Sequence, residues 1–353
     1  MRNLAAPQGD RRLDCKLTLV GSTPTFSTLH RRGFTVQTIL NLGADVDSRF
    51  IMVACAENSF KPHKIANERG AIVRWLRSVP RATRLGMEST GAYHQLLADL
   101  AQRAGMQVFV INARNLRRYA QGIGQRGKTD RIDAEAIACY VAREHTRLHA
   151  YVPPCKAQRR LAQLIGRRAQ AVKTQQMLSQ SLGGISALAQ ELNAARAAVK
   201  RLITRLDALI KQTLDRLSAA REAAQHIATI PGFGVLSSTY LGYSFTRLPY
   251  SNSNAVVAQV GLDPRPADSG KKHGRRRLSK QGPSEARRLL FNCAMSACTT
   301  EHWQPYYQAQ LAKGLSSTAA LVVLARKMLR VAFAVYKNNS AFDPALLGGR
   351  HLT

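Results

Sequence analysis

Acidic side chains are scarce in this chain: 21 Asp and Glu stand against 52 Lys and Arg in 353 residues, a formal charge of +31. An imbalance of that size points to a polyanionic partner. Aromatics make up only 6%, yet 45% hydrophobic content supplies apolar surface for two or three cores, which excludes wholesale disorder. No apolar run is long and clean enough for a membrane span. The best candidate, Ser317 to Tyr336, is broken at helical spacing by Arg326, Lys327 and Arg330 and reads as an amphipathic helix, so no membrane partner is expected. Residues 1 to 35 hold no apolar run followed by a small-residue cleavage site, so no signal peptide is expected. Cysteine is sparse as well. The six thiols (15, 55, 139, 155, 293 and 298) form no CxxC pair and no Cys/His cluster with zinc spacing, and they read as reduced side chains in a reducing compartment.

Three units follow an aperiodic extension over residues 1 to 35. In the first, residues 36 to 150, Ile39 to Asp45 and Phe50 to Ala54 read as paired strands, with Lys64 to Asn67 as a third. A helix over Gly70 to Ser78, a strand over Arg84 to Glu88, a helix over Gly91 to Ala104, a strand over Gln107 to Ile111 and a helix over Lys128 to Glu144 complete a βββαβαβα order, an α/β layer. Residues 155 to 222 contain no proline and are interrupted by Gly183-Gly184. Beyond that pair Ile185, Leu188, Leu192, Ala195, Val199, Leu202, Leu206 and Leu209 alternate steps of three and four. The pattern predicts a coiled-coil seam; a hairpin packing only on itself is the plainer reading, and the regularity of the seam favours a stalk that also meets a partner helix of another protomer. Residues 223 to 341 form a mostly helical third unit, and 342 to 353 a tail. Its Ile230-Pro231-Gly232-Phe233-Gly234 resembles a helix-hairpin-helix turn, in which Gly232 and Gly234 would let backbone N–H groups face phosphate; a plain helix-connecting turn is the competing reading. From Arg265 to Arg288 nine basic residues meet two acidic ones, and among them Arg265, Lys271, Lys272, Arg275, Arg276, Arg277 and Lys280 make a loop suited to nucleic acid. Pro283 is expected to open the next helix.

Against so basic a background, carboxylates that repel phosphate stand out. Asp45 ends the first strand, Glu88 ends the fourth, and Asp130 and Asp133 lie i, i+3 on one helix. Gathered together, they would raise one another's pKa values unless a cation neutralised them. Divalent ions with oxygen ligands meet that need, and a pair of them about 4 Å apart stabilises both attacking and leaving oxygens of a phosphoryl transfer. Taken singly, each of the four has an ordinary explanation as a turn former, helix cap or dipole complement.

Gly43-Ala44-Asp45-Val46, Met87-Glu88-Ser89-Thr90-Gly91-Ala92-Tyr93 and Lys128-Thr129-Asp130-Arg131-Ile132-Asp133-Ala134 together resemble the three acidic motifs of the DEDD transposases of insertion sequences, with the related Piv-type DNA invertases. Gly261-Leu262-Asp263-Pro264-Arg265, Asp268-Ser269-Gly270-Lys271 and Leu278-Ser279-Lys280-Gln281-Gly282 match in order farther on. The resemblance covers about Val36 to Tyr336 and implies a RuvC-like, RNase H-type fold for the first domain. It implies a recombinase in which Asp45, Glu88, Asp130 and Asp133 hold magnesium, or manganese, while Ser269 attacks DNA to form a phosphoserine link, with Lys128 beside the acidic set contacting nucleic acid. It also implies dimers with tetramers as the active assembly, serine and acids able to come from different protomers, a structured bridge RNA as guide, and a place in the bacterial cytosol with the nucleoid. Three features depart from the family pattern: Asp47-Ser48 follows the first acid, Pro283 replaces a polar residue, and the extension over residues 1 to 35 is not part of the family core. A junction-resolving nuclease using water as nucleophile and an inert nucleic-acid-binding scaffold are the alternatives. Ser279 is the competing serine.

Overall fold

The computed structural model describes residues 39–57, 59–89, 91–125, 127, 129–265 and 276–347, and the chain divides between Pro153 and Pro154 into two units. The extension over residues 1 to 35 lies outside the described residues, as do residues 348 to 353 of the tail.

The first unit is a mixed sheet with helices on both faces. Its strands are β1 (Asn41–Val46), β2 (Phe50–Cys55), β3 (His63–Ala66), β4 (Arg84–Glu88) and β5 (Gln107–Ile111), ordered β3-β2-β1-β4-β5. β2 runs antiparallel to both β1 and β3, whereas β4 runs parallel to β1 and β5. Period-two alternation sends Leu42, Ala44 and Val46 of β1 into one core, shared with Ile72, Trp75 and Leu76 of α1 (Arg69–Ser78) and Leu97 and Ala101 of α2 (His94–Arg103). On the opposite face Phe109 and Ile111 pack with Leu116 of α3 (Ala113–Gly122) and with Ile137 and Val141 of α4 (Asp130–Glu144). α3 has no counterpart in the sequence reading. Asn112 caps it, its side-chain oxygen accepting from the Arg114 N–H at 2.9 Å, but Leu116 is the one buried residue of its span and leaves no apolar period to detect. α4 starts at Asp130, two residues later than the sequence suggests, because Thr129 is its N-cap and accepts from the Ile132 N–H at 3.2 Å.

In the second unit α5 (Lys156–Leu182) and α6 (Ala189–Leu214) fold back on each other around Gly183-Gly184, held in part by a two-pronged ion pair from Arg168 to Asp207 at 2.5 and 3.2 Å. The seam read from the sequence splits between two environments. Leu192 is 6% exposed, whereas Ile185 is 48% and Leu202 61% exposed, and the remaining buried apolar positions of α6 are Ile210 and Leu214. Leu206 and Leu209 of the seam pack, half-buried, on the cluster of Leu161, Leu164 and Ile165 of α5, so α6 turns most of the seam inward and leaves Leu202 outside. Leu192→Lys is expected to cost about 3 kcal/mol in chemical denaturation, as loss of a buried leucine compounded by a desolvated ammonium. Leu202→Lys should stay within about 0.5 kcal/mol of the parent.

α7 (Ser218–Ala228), α8 (Val235–Arg247), α9 (Ser253–Val260), a two-stranded ribbon of β6 (Pro264–Arg265) and β7 (Arg277–Leu278), α10 (Ser284–Ala297), α11 (Gln304–Ala312) and α12 (Ser317–Asn338) complete the unit. Its core gathers Ile227, Leu241, Phe245, Val257, Leu290, Leu324, Met328 and Phe333 around Trp303, whose indole N–H donates to the Pro231 carbonyl at 3.0 Å. Pro283 is the N-cap of α10, one position before its expected place. Among the described residues no helix is long and apolar enough to cross a membrane.

Candidate active site

Alternation places Asn41, Gly43 and Asp45 on one face of β1, and Gly86 and Glu88 on the same face of β4. Gly43 and Gly86 are register partners across the parallel pair, so the two strands present the same glycine-x-acid pattern side by side. α4 lies in the trough between them. A methyl group on Gly43 would come within 2.1 Å of the Ala134 carbonyl oxygen and 2.3 Å of the Ala138 nitrogen, and one on Gly86 within 2.3 Å of Val141 Cγ2. The two missing side chains thus admit the helix backbone to the sheet and carry its first turn toward the strand ends that hold Asp45 and Glu88.

Glu88 and Asp133 line one cleft of about 250 Å³, together with Arg117, Gln121 and Gln125. The Gln125 side-chain amide donates to Asp133 Oδ1 at 3.2 Å, while its own Oε1 is buried with no donor among the described residues. Asp130 is otherwise engaged: the Lys64 ammonium of β3 sits 3.0 Å from its carboxylate and holds that carboxyl below the usual range, although both side chains are largely exposed. Asp45 and Glu88 have interactions of their own. Among the described residues no three His, Cys, Asp or Glu side chains are close enough to share one ion. Two of the four acids therefore line one cleft, and the other two, Asp45 of β1 and Asp130 at the first residue of α4, are not part of its lining. The donor set still suits a hard divalent cation, since Glu88, Asp133 and the orphaned Gln125 Oε1 are all oxygens and no thiol or imidazole lines the cleft.

The basic loop of the second unit is closed at its base by β6 and β7, in which Pro264 pairs with Leu278 and Arg265 with Arg277. The two glycines that flank it are built into tight contact: a methyl on Gly261 would fall 2.6 Å from the Gln281 nitrogen, and one on Gly282 2.0 Å from the Gln259 carbonyl oxygen. Ser269, Lys271, Lys272 and Arg275 lie outside the described residues, as does Lys128 of the first unit. Arg276, Arg277 and Lys280 are exposed and Arg265 half-buried. Ser279 is engaged inside the ribbon base, its hydroxyl donating to Asp263 Oδ1 while its N–H donates to the Asp263 carbonyl at 2.9 Å. The Ile230 to Gly234 turn shows a packing role. A methyl on Gly232 would meet Ala297 Cβ at 2.6 Å and the Cys293 carbonyl oxygen at 2.9 Å, and the Gly234 N–H donates to Ser237 Oγ at 3.0 Å. That internal bond engages the Gly234 N–H within the first turn of α8.

Lys64, Arg117, Gln121 and Gln125 belong to the acidic region and were not singled out from the sequence. Lys64 stands in a short strand and the others in or just after α3, the helix without an apolar period.

A family model described as transposase, of the DEDD IS110 type, matches residues 42–191. A second, described as transposase of the IS116/IS110/IS902 family, matches residues 224–308. The pilin gene-inverting protein of Moraxella lacunata is 27% identical over 270 residues, spanning 73% of this chain and 81% of that protein. The transposase for insertion sequence element IS1328 of Yersinia enterocolitica is 28% identical over 295 residues, spanning 73% of this chain and 85% of that protein.

Proposed function

The chain belongs to the IS110/IS116/IS902 family of transposases, and on that footing we propose that it is a recombinase of a mobile element, cutting and rejoining DNA with Ser269 as its nucleophile. One observation carries the reading: Glu88 and Asp133, far apart in sequence, line one cleft at the end of a sheet whose paired glycines seat the helix bearing Asp130 and Asp133. The order β3-β2-β1-β4-β5, with β2 antiparallel to its neighbours, supports a RuvC-like, RNase H-type domain.

Glu88 and Asp133, joined by Asp45 and by Asp130 once it leaves Lys64, would hold magnesium or manganese. Such an ion, when bound, neutralises charge on the scissile phosphate. The chain's own residues do the rest. Arg117 beside the acids, and Arg265, Arg276, Arg277 and Lys280 about the ribbon, supply positive charge to hold a phosphate backbone. In the covalent step Ser269 Oγ bonds to phosphorus, the bond to one deoxyribose oxygen breaks, and that oxygen departs with a proton. The resulting phosphoserine diester conserves the linkage for rejoining. A structured guide RNA and DNA both suit the charge of the chain, and the exposed Ile185, Leu188 and Leu202 support a helical hairpin that joins protomers. Leu202→Lys, neutral for stability, should then lower the mass of the assembly in light scattering.

A stalled reaction should leave DNA attached to the wild-type protein through denaturation. Ser269→Ala should lose both adduct and recombination while keeping DNA affinity, and Ser279→Ala should retain the adduct. Cleavage that releases only free ends in the wild type would instead identify a nuclease that uses water.

A further inference from the structure

α12 places three cations on one face at the point where its apolar run is interrupted: Arg326 and Arg330 lie one turn apart, with Lys327 three residues from Arg330. All three are half-buried. Among the described residues none has a carboxylate partner. Arg330 donates through Nη2 to Asn254 Oδ1 of α9 at 2.8 Å, while its buried Nε finds no acceptor. Lys327 Nζ stands 6.0 Å from the ring centre of Tyr306 on α11. Burial, and then the neighbouring Arg330 charge, push both Arg326 and Lys327 below their usual ranges. Half-buried like charges destabilise one another unless an anion comes to them, and none of the described residues supplies one. Asn254 fixes the Arg330 guanidinium through Nη2; Nε is closed off from solvent, so Nη1 is the group of that guanidinium, beside Arg326 and Lys327, that a phosphate oxygen would meet.

We propose that this face of α12, with Asn254 and Tyr306 as its fixed flanks, is a nucleic-acid contact that binds phosphodiester groups and is separate in sequence from the basic ribbon. It rests on the recombinase reading in taking nucleic acid as the ligand. Phosphates of DNA and of RNA share the chemistry, so both are tested.

The full chain carrying Arg326→Gln, Lys327→Gln and Arg330→Gln is titrated with a random-sequence DNA duplex and with a single-stranded RNA over a salt series. On the strand class that uses this face, the slope of log affinity against log salt should fall by about 2 to 3, at roughly 0.9 per duplex phosphate or 0.7 per single-strand phosphate. A fall on duplex alone assigns DNA, and a fall on the single strand alone assigns RNA. Because the cations face one another with no carboxylate among the described residues to offset them, Tm should hold or rise in the variant despite the lost Arg330–Asn254 bond, and a lysine-only version (Arg326→Lys with Arg330→Lys) should keep most of the slope. Unchanged slopes on both ligands, with or without a fall in Tm, overturn this site alone. A wild-type chain that binds neither ligand overturns the recombinase reading with it.

Discussion

Glu88→Gln and Asp133→Asn should each reduce strand cleavage by roughly 10³-fold, the loss typical of removing one preorganised group that stabilises developing charge. The fold should persist, because both changes keep side-chain volume and neither acid is part of a hydrophobic core. The same variants give a readout that needs no turnover. A ligand that binds only the folded state raises Tm in proportion to its occupancy, so manganese should raise the wild-type Tm and raise it much less in Glu88→Gln or Asp133→Asn. Asp130→Asn should lose cleavage equally and change Tm little without metal, since its pairing with Lys64 is between largely exposed groups. Full cleavage by any of these variants, or an unaltered manganese response in Glu88→Gln, would remove that acid from the assignment.

Much of this region was legible in the sequence because its acids sit at strand ends and in a helix's first turn, positions that apolar patterning locates well. Three aspects were not. α3 escaped because a surface helix with one buried leucine carries no period, and Arg117, Gln121 and Gln125 went with it. The count of threes and fours along α6 finds Leu192, Leu206 and Leu209, which pack inward, but it cannot say which of its members drops out of the packed stripe. The Arg168–Asp207 pair and the buried Ile210 mark the stripe that faces α5, and Leu202 stands off it. Gly232 and Gly234 suit a phosphate-binding turn by composition, yet glycine serves close packing as readily as anion contact, and the packing at Gly232 is seen only in the proximity of Ala297 and Cys293. The three cations of α12 were visible as interruptions in an apolar run. Their burial and their missing anion emerge only when α9 and α11 pack against that helix.

Gly43→Ala should be among the most damaging single-methyl additions the chain can receive, because what the new methyl meets is backbone. The Ala134 carbonyl oxygen and the Ala138 nitrogen belong to the ladder of α4 and cannot rotate away, so the helix itself must lift from β1. Overpacking of this kind costs about 3 kcal/mol, the upper part of its usual range. Gly86→Ala makes a nearly equal contact but meets the Val141 and Ile137 Cγ2 methyls, side-chain atoms that are stiff in a helix yet removable, and about 2 kcal/mol is expected. The two sites therefore separate under rescue. Val141→Ala should restore stability to Gly86→Ala, and no side-chain truncation on α4 should restore Gly43→Ala. Cleavage should fall in Gly43→Ala further than stability alone explains, even at temperatures where the variant is folded, because a lifted α4 takes Asp130 and Asp133 away from the strand ends that carry Asp45 and Glu88. Denaturation midpoints and single-turnover cleavage on the same preparations check both statements. A Gly43→Ala chain with wild-type cleavage would show that the seating of α4 on β1 does not set the acidic geometry.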